Sequence, residues 1–152
     1  MHNPLESFII AAKSACCVGS GAKAAASRLG SHDLTYCDGS ISYRDGYFGG
    51  TDFVGQEVVW TSDVLVWAMN YSGRILRDDL LNADRAGAII KAALSQMYAT
   101  GRFPGGFERH DGEERYVDSS TGDFRAFAGM ETIWQGRVKL YELAYHGGMI
   151  RT

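Results

Sequence analysis

The sequence predicts an α+β domain: two helices packed on antiparallel sheet, each leading a strand meander, with approximate internal two-fold symmetry. Three observations carry this. Apolar residues recur at helical spacing in two separated segments, short strands punctuated by Asp-Gly and Gly-Gly follow each, and two hairpins repeat one another 74 residues apart. The 152 residues suit one domain, with a first unit over about 4–76 and a second over about 81–150.

The first helix is expected over 4–17. Asn3 can cap it, Pro4 fits the first helical position, and Glu6 stands three after the cap. Leu5, Phe8, Ile9, Ala12 and Cys16 then form its apolar stripe. Residues 18–31, small and weakly patterned, read as a mobile loop, with a helical turn at Ala22–Ser27 as the alternative. GSGAK in that stretch lacks the GK[ST] ending and preceding strand of a phosphate-binding loop. Strands run from Leu34 to Ile75. A second helix follows over Leu81–Tyr98, capped by Asn82, with Ala86, Ile89, Ile90, Ala93, Leu94 and Met97 on its buried face. Gly101 and Pro104 end it, and strands resume to Ile150.

Composition excludes several classes. Fifteen basic against eighteen acidic residues leave a net charge of −3, with no electrostatic footprint for nucleic acid. No apolar run reaches the ~18–20 residues of a membrane span. The amino terminus lacks a basic n-region and is interrupted by Glu6, so no signal peptide is expected. Three cysteines, two of them adjacent, make a poor disulfide framework and show no metal-ligand spacing; they are expected to be reduced, in a cytoplasmic protein. No cofactor motif is present, and His32 and His110 sit in polar turn sequences.

The hairpins at 53–73 and 127–147 carry the functional signal. They share seven identities in twenty-one positions, among them Phe53/Phe127, Gly55/Gly129, Glu57/Glu131, Trp60/Trp134 and Tyr71/Tyr145, where composition gives about one or two. One residue of slippage also aligns Tyr43 and Asp45 with Tyr116 and Asp118. Each hairpin therefore sets a glutamate among aromatic residues. With a loop at Thr61–Asp63, Glu57 falls opposite Trp67 and shares a face with Phe53, Gly55, Val59, Leu65, Met69 and Tyr71. The same register sets Glu131 opposite Tyr141, near Lys139. A one-residue change of loop would instead set Glu57 against Ala68.

A carboxylate on such a face must be paired, hydrated or protonated. Two readings stand beside each other. One is an ion pair with Arg44, Arg74, Arg125 or Arg137 that fixes the strands. The other is a pocket floor, whose aromatic walls and carboxylate suit a small aromatic or cationic organic ligand. On the second reading the ligand-binding residues are Phe53, Glu57, Trp67, Tyr71, Glu131, Tyr141, Tyr145 and His146, with Lys139 neutralising Glu131 and Glu57 dominant. No residue is assigned as catalytic or as a metal ligand. An acid–base carboxylate pair is a further alternative, with His146 or Tyr145 as proton carrier. So is burial of the aromatic face in a homodimer or against another protein. The reverse side is apolar too, through Val54, Val58, Trp60, Val64 and Val66, so one face is expected to hold the helices and the other the pocket or a subunit contact. Gly49, Gly50, Gly147 and Gly148 read as turn or close-approach positions.

GSHDLTY (30–36), SYRDGYFGGTDFVGQEVVW (42–60), WAMNYSGRIL (67–76) and ELAYHGGMI (142–150) resemble an uncharacterised prokaryotic domain family catalogued as a domain of unknown function. Its members occur alone or behind the helix-turn-helix domain of Xre-type transcriptional regulators. The likeness runs from the first helix to the last strand and brings no catalytic residues with it. It implies a ligand-sensing or partner-binding module that does not itself read DNA.

Overall fold

The computed structural model describes residues 3–19 and 21–152; Met1, His2 and Ser20, which belong to the amino-terminal and GSGAK readings, lie outside them. Helix α1 spans Pro4–Lys13. Asn3 opens it by accepting the Leu5 amide at 2.9 Å, and Pro4 occupies the first turn, where no amide hydrogen is needed. The chain then widens into a π-helical turn over Ser14–Val18, so only the first part of the expected helix is α-helical. Helix α2 spans Ala83–Ala99, and its cap Asn82 accepts the Arg85 amide at 2.8 Å.

Among the described residues the strands belong to one nine-stranded antiparallel sheet. In chain order they are β1 Ala22–Ala24, β2 His32–Asp38, β3 Ile41–Gly49, β4 Phe53–Thr61, β5 Val64–Ile75, β6 Phe107–Asp111, β7 Glu114–Asp123, β8 Ala126–Gln135 and β9 Val138–Met149. Their order across the sheet is β1-β2-β3-β4-β5-β9-β8-β7-β6. Within the stretch expected as a loop, with a helical turn at Ala22–Ser27 as the alternative, lies the short edge strand β1, paired to β2. That stretch has neither a cap nor an apolar stripe to hold a helix, whereas the sheet edge offers it backbone partners. At the middle of the sheet β5 pairs with β9, and Tyr71 stands directly opposite Tyr145.

The hairpin register corrects the expected one. The loop is the two-residue turn Ser62-Asp63, both residues at positive φ, and Thr61 pairs with Val64. Carried along regularly, that turn would set Glu57 against Ala68. A β-bulge between Val59 and Trp60 inserts one residue and restores parity, so Val59 faces Trp67 and Glu57 faces Met69, not Trp67. Leu65 pairs with Trp60 and moves to the reverse side. The second hairpin has its bulge at the corresponding place, between Ile133 and Trp134, so Glu131 faces Leu143 instead of Tyr141.

One buried cluster unites Phe8, Ile9 and Ala12 of α1, Ile89, Ala93 and Met97 of α2, and Tyr43, Val59, Trp67, Tyr116, Ile133 and Tyr141 of the sheet. On the reverse side Val54 and Met130 stay exposed, whereas the bulges carry Val64, expected on that side, and Val138 to the glutamate face at the hairpin ends. Gly49 shows why glycine ends β3: its φ is +91° and a Cβ there would lie 2.0 Å from the Asp52 carbonyl oxygen. Among the described residues no helix is long and apolar enough to cross a membrane.

Candidate functional site

Helix residues and inner strand faces together line a cavity of about 400 Å³, so the pocket lies on the side that carries the helix contacts and not on the opposite face of the sheet. The reason is the composition of that face. Paired carboxylates occupy positions where apolar residues would otherwise close the core.

Four of these carboxylates form two cross-strand pairs. Asp45 of β3 stands opposite Glu57 of β4, and Asp118 of β7 stands opposite Glu131 of β8. Like charges directly opposite each other repel, so each pair requires a compensating group. A tyrosine supplies part of it. The Tyr71 hydroxyl donates to Asp45 Oδ1 and the Tyr145 hydroxyl donates to Asp118 Oδ1, each at 2.6 Å. These rings lean over glycine. A Cβ on Gly55 would lie 2.3 Å from Tyr71 Cζ, and one on Gly129 would lie 2.2 Å from Tyr145 Cζ. Gly129→Ala should therefore displace Tyr145, break its bond to Asp118 and cost about 1–3 kcal/mol in chemical denaturation. An alanine variant as stable as the parent would show that the ring moves freely.

The second part of the compensation differs between the pairs. Lys13, at the end of α1, directs its ammonium at both oxygens of Glu57, each at 2.8 Å, and lies 3.5 Å from Met69 Sδ. The Phe103 ring closes over it, with Nζ 4.4 Å from the centroid. Lys13 and Glu57 are each only 3% exposed. Burial opposes the lysine's charge, but Glu57, with help from Cys17 and Asp45, holds its pKa above the ordinary value. The counter-ion of Glu57 is thus a lysine from the first helix and not one of the four expected arginines. Arg44 pairs with Asp33, and Arg125 pairs with Asp123.

Glu131 has no such partner. Among the described residues no ion pair reaches it, its polar neighbour is the Tyr116 hydroxyl, and Asp118 Oδ2 is buried without a hydrogen-bond partner. Lys139, expected to neutralise Glu131, is turned to the reverse side by the bulge and bonds to Glu142 at 3.2 Å. Helix α2 brings Leu94, Met97 and Tyr98 to the cavity, with Lys91 as its exposed cation. Glu131 lies deep but keeps contact with the cavity. Burial, reinforced by the charge of Asp118, pushes its carboxyl up to about 8, against the pull of Lys13 and Tyr116. Burial likewise raises Asp45 to about 7, with Glu57 adding to it and the Tyr71 bond and Lys13 opposing. Asp118 is raised by burial against the Tyr145 bond.

Of the residues named from sequence, Phe53, Glu57, Tyr71, Glu131, Tyr141 and Tyr145 line the cavity. Trp67 does not. It is fully buried beneath the wall, stacked on Phe127 at 5.8 Å, and its indole donates to the Phe124 carbonyl at 2.8 Å. His146 is exposed, because strand alternation places it on the face opposite Tyr145. The sequence reading missed Lys13, Asp45, Asp118 and Phe103. The alignment of Asp45 with Asp118 was the available signal for the aspartates. Nothing local marks Lys13 or Phe103.

The Cys17 thiol and the carboxylates of Asp45 and Glu57 bring ligand atoms within 4.8 Å of one another. The Lys13 ammonium already occupies both Glu57 oxygens there, and burial holds the Cys17 thiol well above its ordinary pKa, away from the thiolate a metal requires. This donor set therefore does not suit a metal ion. The three cysteines are free.

No curated protein and no solved structure matches the chain. One family model does, over residues 45–150, and this stretch begins after α1, β1 and β2. It takes in both carboxylate pairs and leaves out Lys13. The chain belongs to the family described as Domain of unknown function (DUF5680).

Proposed function

We propose that the cavity binds a small organic amine, whose ammonium is received by Glu131 and Asp118. One observation carries this reading: two similar carboxylate pairs face one cavity, and among the described residues only the pair containing Glu57 is joined in an ion pair. Lys13 shows how an ammonium sits in such a place, between two carboxylate oxygens, a thioether and an aromatic face. A ligand ammonium at Glu131 would take up the same kind of contacts, with Tyr145 and Tyr141 as neighbouring rings. Glu131 thereby replaces Glu57 as the dominant recognition residue, because Glu57 is already neutralised.

The likeness of the two halves also supports a duplicated helix-plus-meander unit. Both hairpins have a bulge at the same place, both carry a Gly–Tyr contact, and Tyr71 meets Tyr145 across the central strand pair. On this reading the second copy lacks the lysine, and a vacancy of matching chemistry remains. A sensing role, as expected of accessory domains that accompany helix-turn-helix regulators, is the biological form the proposal takes.

Thermal-shift titration with benzylamine and benzyl alcohol tests the charge recognition. The amine should bind at least about tenfold more tightly, since a charged hydrogen bond contributes about 1.5–3 kcal/mol. Glu131→Gln should remove the difference. Equal shifts for the two compounds would return both glutamates to a purely scaffolding role.

A further inference from the structure

A second chamber of about 330 Å³ adjoins the carboxylate cavity. The two share seven wall residues, among them Phe53, Tyr71, Ile90, Lys91 and Tyr141, so these residues form the border between them. Across that border the chemistry changes. The second chamber is bounded by Gly49, Gly50, Ile75, Ala86 and Gly87, and among the described residues no carboxylate lines it. Among the described residues its one charged lining residue is the exposed Lys91, which borders the first cavity as well. The Tyr141 hydroxyl is buried without a hydrogen-bond partner, as is Asp118 Oδ2 in the first cavity. Unsatisfied polar atoms thus lie on the walls of the first cavity and on its border with a compartment lined by glycine and aliphatic residues.

We infer that the ligand is an amphipathic amine, with an ammonium head at Glu131 and Asp118 and an apolar tail that passes Tyr141 into the second chamber. This rests on the amine reading above and adds the shape and polarity of the remainder of the molecule. A compact monocation would leave the second chamber unused. A diamine would carry its second charge into a compartment that has no acid to meet it. An alkyl or arylalkyl tail meets the glycine and aliphatic walls instead, and each buried methylene strengthens binding by about threefold to fourfold.

The test is a calorimetric titration series of primary n-alkylamines from butyl to octyl, kept below micelle formation, beside the alcohols of equal length. Affinity for the amines should rise about threefold to fourfold per methylene until the chamber is full, and each alcohol should bind at least tenfold more weakly than its amine. Gly87→Leu supplies the second arm. Gly87 lines the second chamber in α2, a Cβ there meets nothing within 4 Å, and leucine favours the helix more than glycine does. That variant should fold and should flatten the series towards the butylamine value. Amine binding that does not depend on chain length, or a length dependence untouched in Gly87→Leu, overturns the inference while the amine pocket stands. Alcohols that bind as tightly as amines, or no binding by any amine, overturn the pocket reading and the inference with it.

Discussion

Replacing Lys13 with methionine is expected to destabilise the fold by about 3–5 kcal/mol, the cost of leaving a buried carboxylate without its counter-charge. Methionine keeps most of the side-chain volume beside Met69 and Phe103, so the loss reports charge and not a cavity. Glu57 is 3% exposed, and both of its oxygens depend on Lys13. The double variant Lys13→Met/Glu57→Gln should recover much of the loss, since it removes the orphaned charge together with its partner. Urea unfolding of the two single variants, the double variant and the parent measures the coupling. A cost below about 1 kcal/mol for Lys13→Met would mean that water, and not Lys13, neutralises Glu57. It would also remove the contrast between the two carboxylate pairs on which the amine reading depends.

Glu131→Gln is expected to stabilise the protein at pH 8 and to flatten its dependence on pH. The folded carboxyl titrates near 8, against an ordinary value of 4.5. Below about 4.5 the folded and unfolded chains both hold this proton. Between the two values only the folded chain does, so unfolding gains as pH rises, and stability is lost progressively until the folded group ionises near 8. With some reduction for water in the cavity, the loss assignable to Glu131 is about 2–4 kcal/mol over that window. Asp45 and Asp118 act in the same direction, so the comparison is between parent and variant at each pH. The variant should pull ahead from about pH 5 upwards, and parallel stability profiles would show that Glu131 is well solvated. An amine that binds the ionised carboxylate would offset this loss, so the parent should gain more from ligand at pH 8 than at pH 6. Glu131→Gln should lose that pH dependence.

The fold's elements were legible because their signals are local. Asn3 with Pro4 and Asn82 with its apolar stripe mark helix starts by the chemistry of unsatisfied amides, whatever lies elsewhere in the chain. Alternation placed Phe53, Glu57 and Tyr71 on one face, and it did so although the expected register was wrong. A shorter turn and a one-residue bulge each change the facing, and together they cancel. Leu65 and Lys139 lie on the far side of the bulge from the glutamates, and they are where the cancellation fails. The edge strand at Ala22–Ala24 was not legible, since nothing in those residues favours a strand until β2 lies beside them.

By itself the sequence determined that two glutamates occupy matching places in two aromatic hairpins, with Gly55 and Gly129 beside them to admit a ring. Only the tertiary structure decided what each glutamate meets. Lys13 reaches Glu57 across 44 residues of chain, and Phe103 covers the ammonium from the segment after α2. Strand alternation, a property of neighbouring residues, could orient the carboxylates, but the arrival of a counter-charge depends on how a helix end is packed over the sheet. Tertiary packing supplied that charge to one carboxylate pair and not to the other.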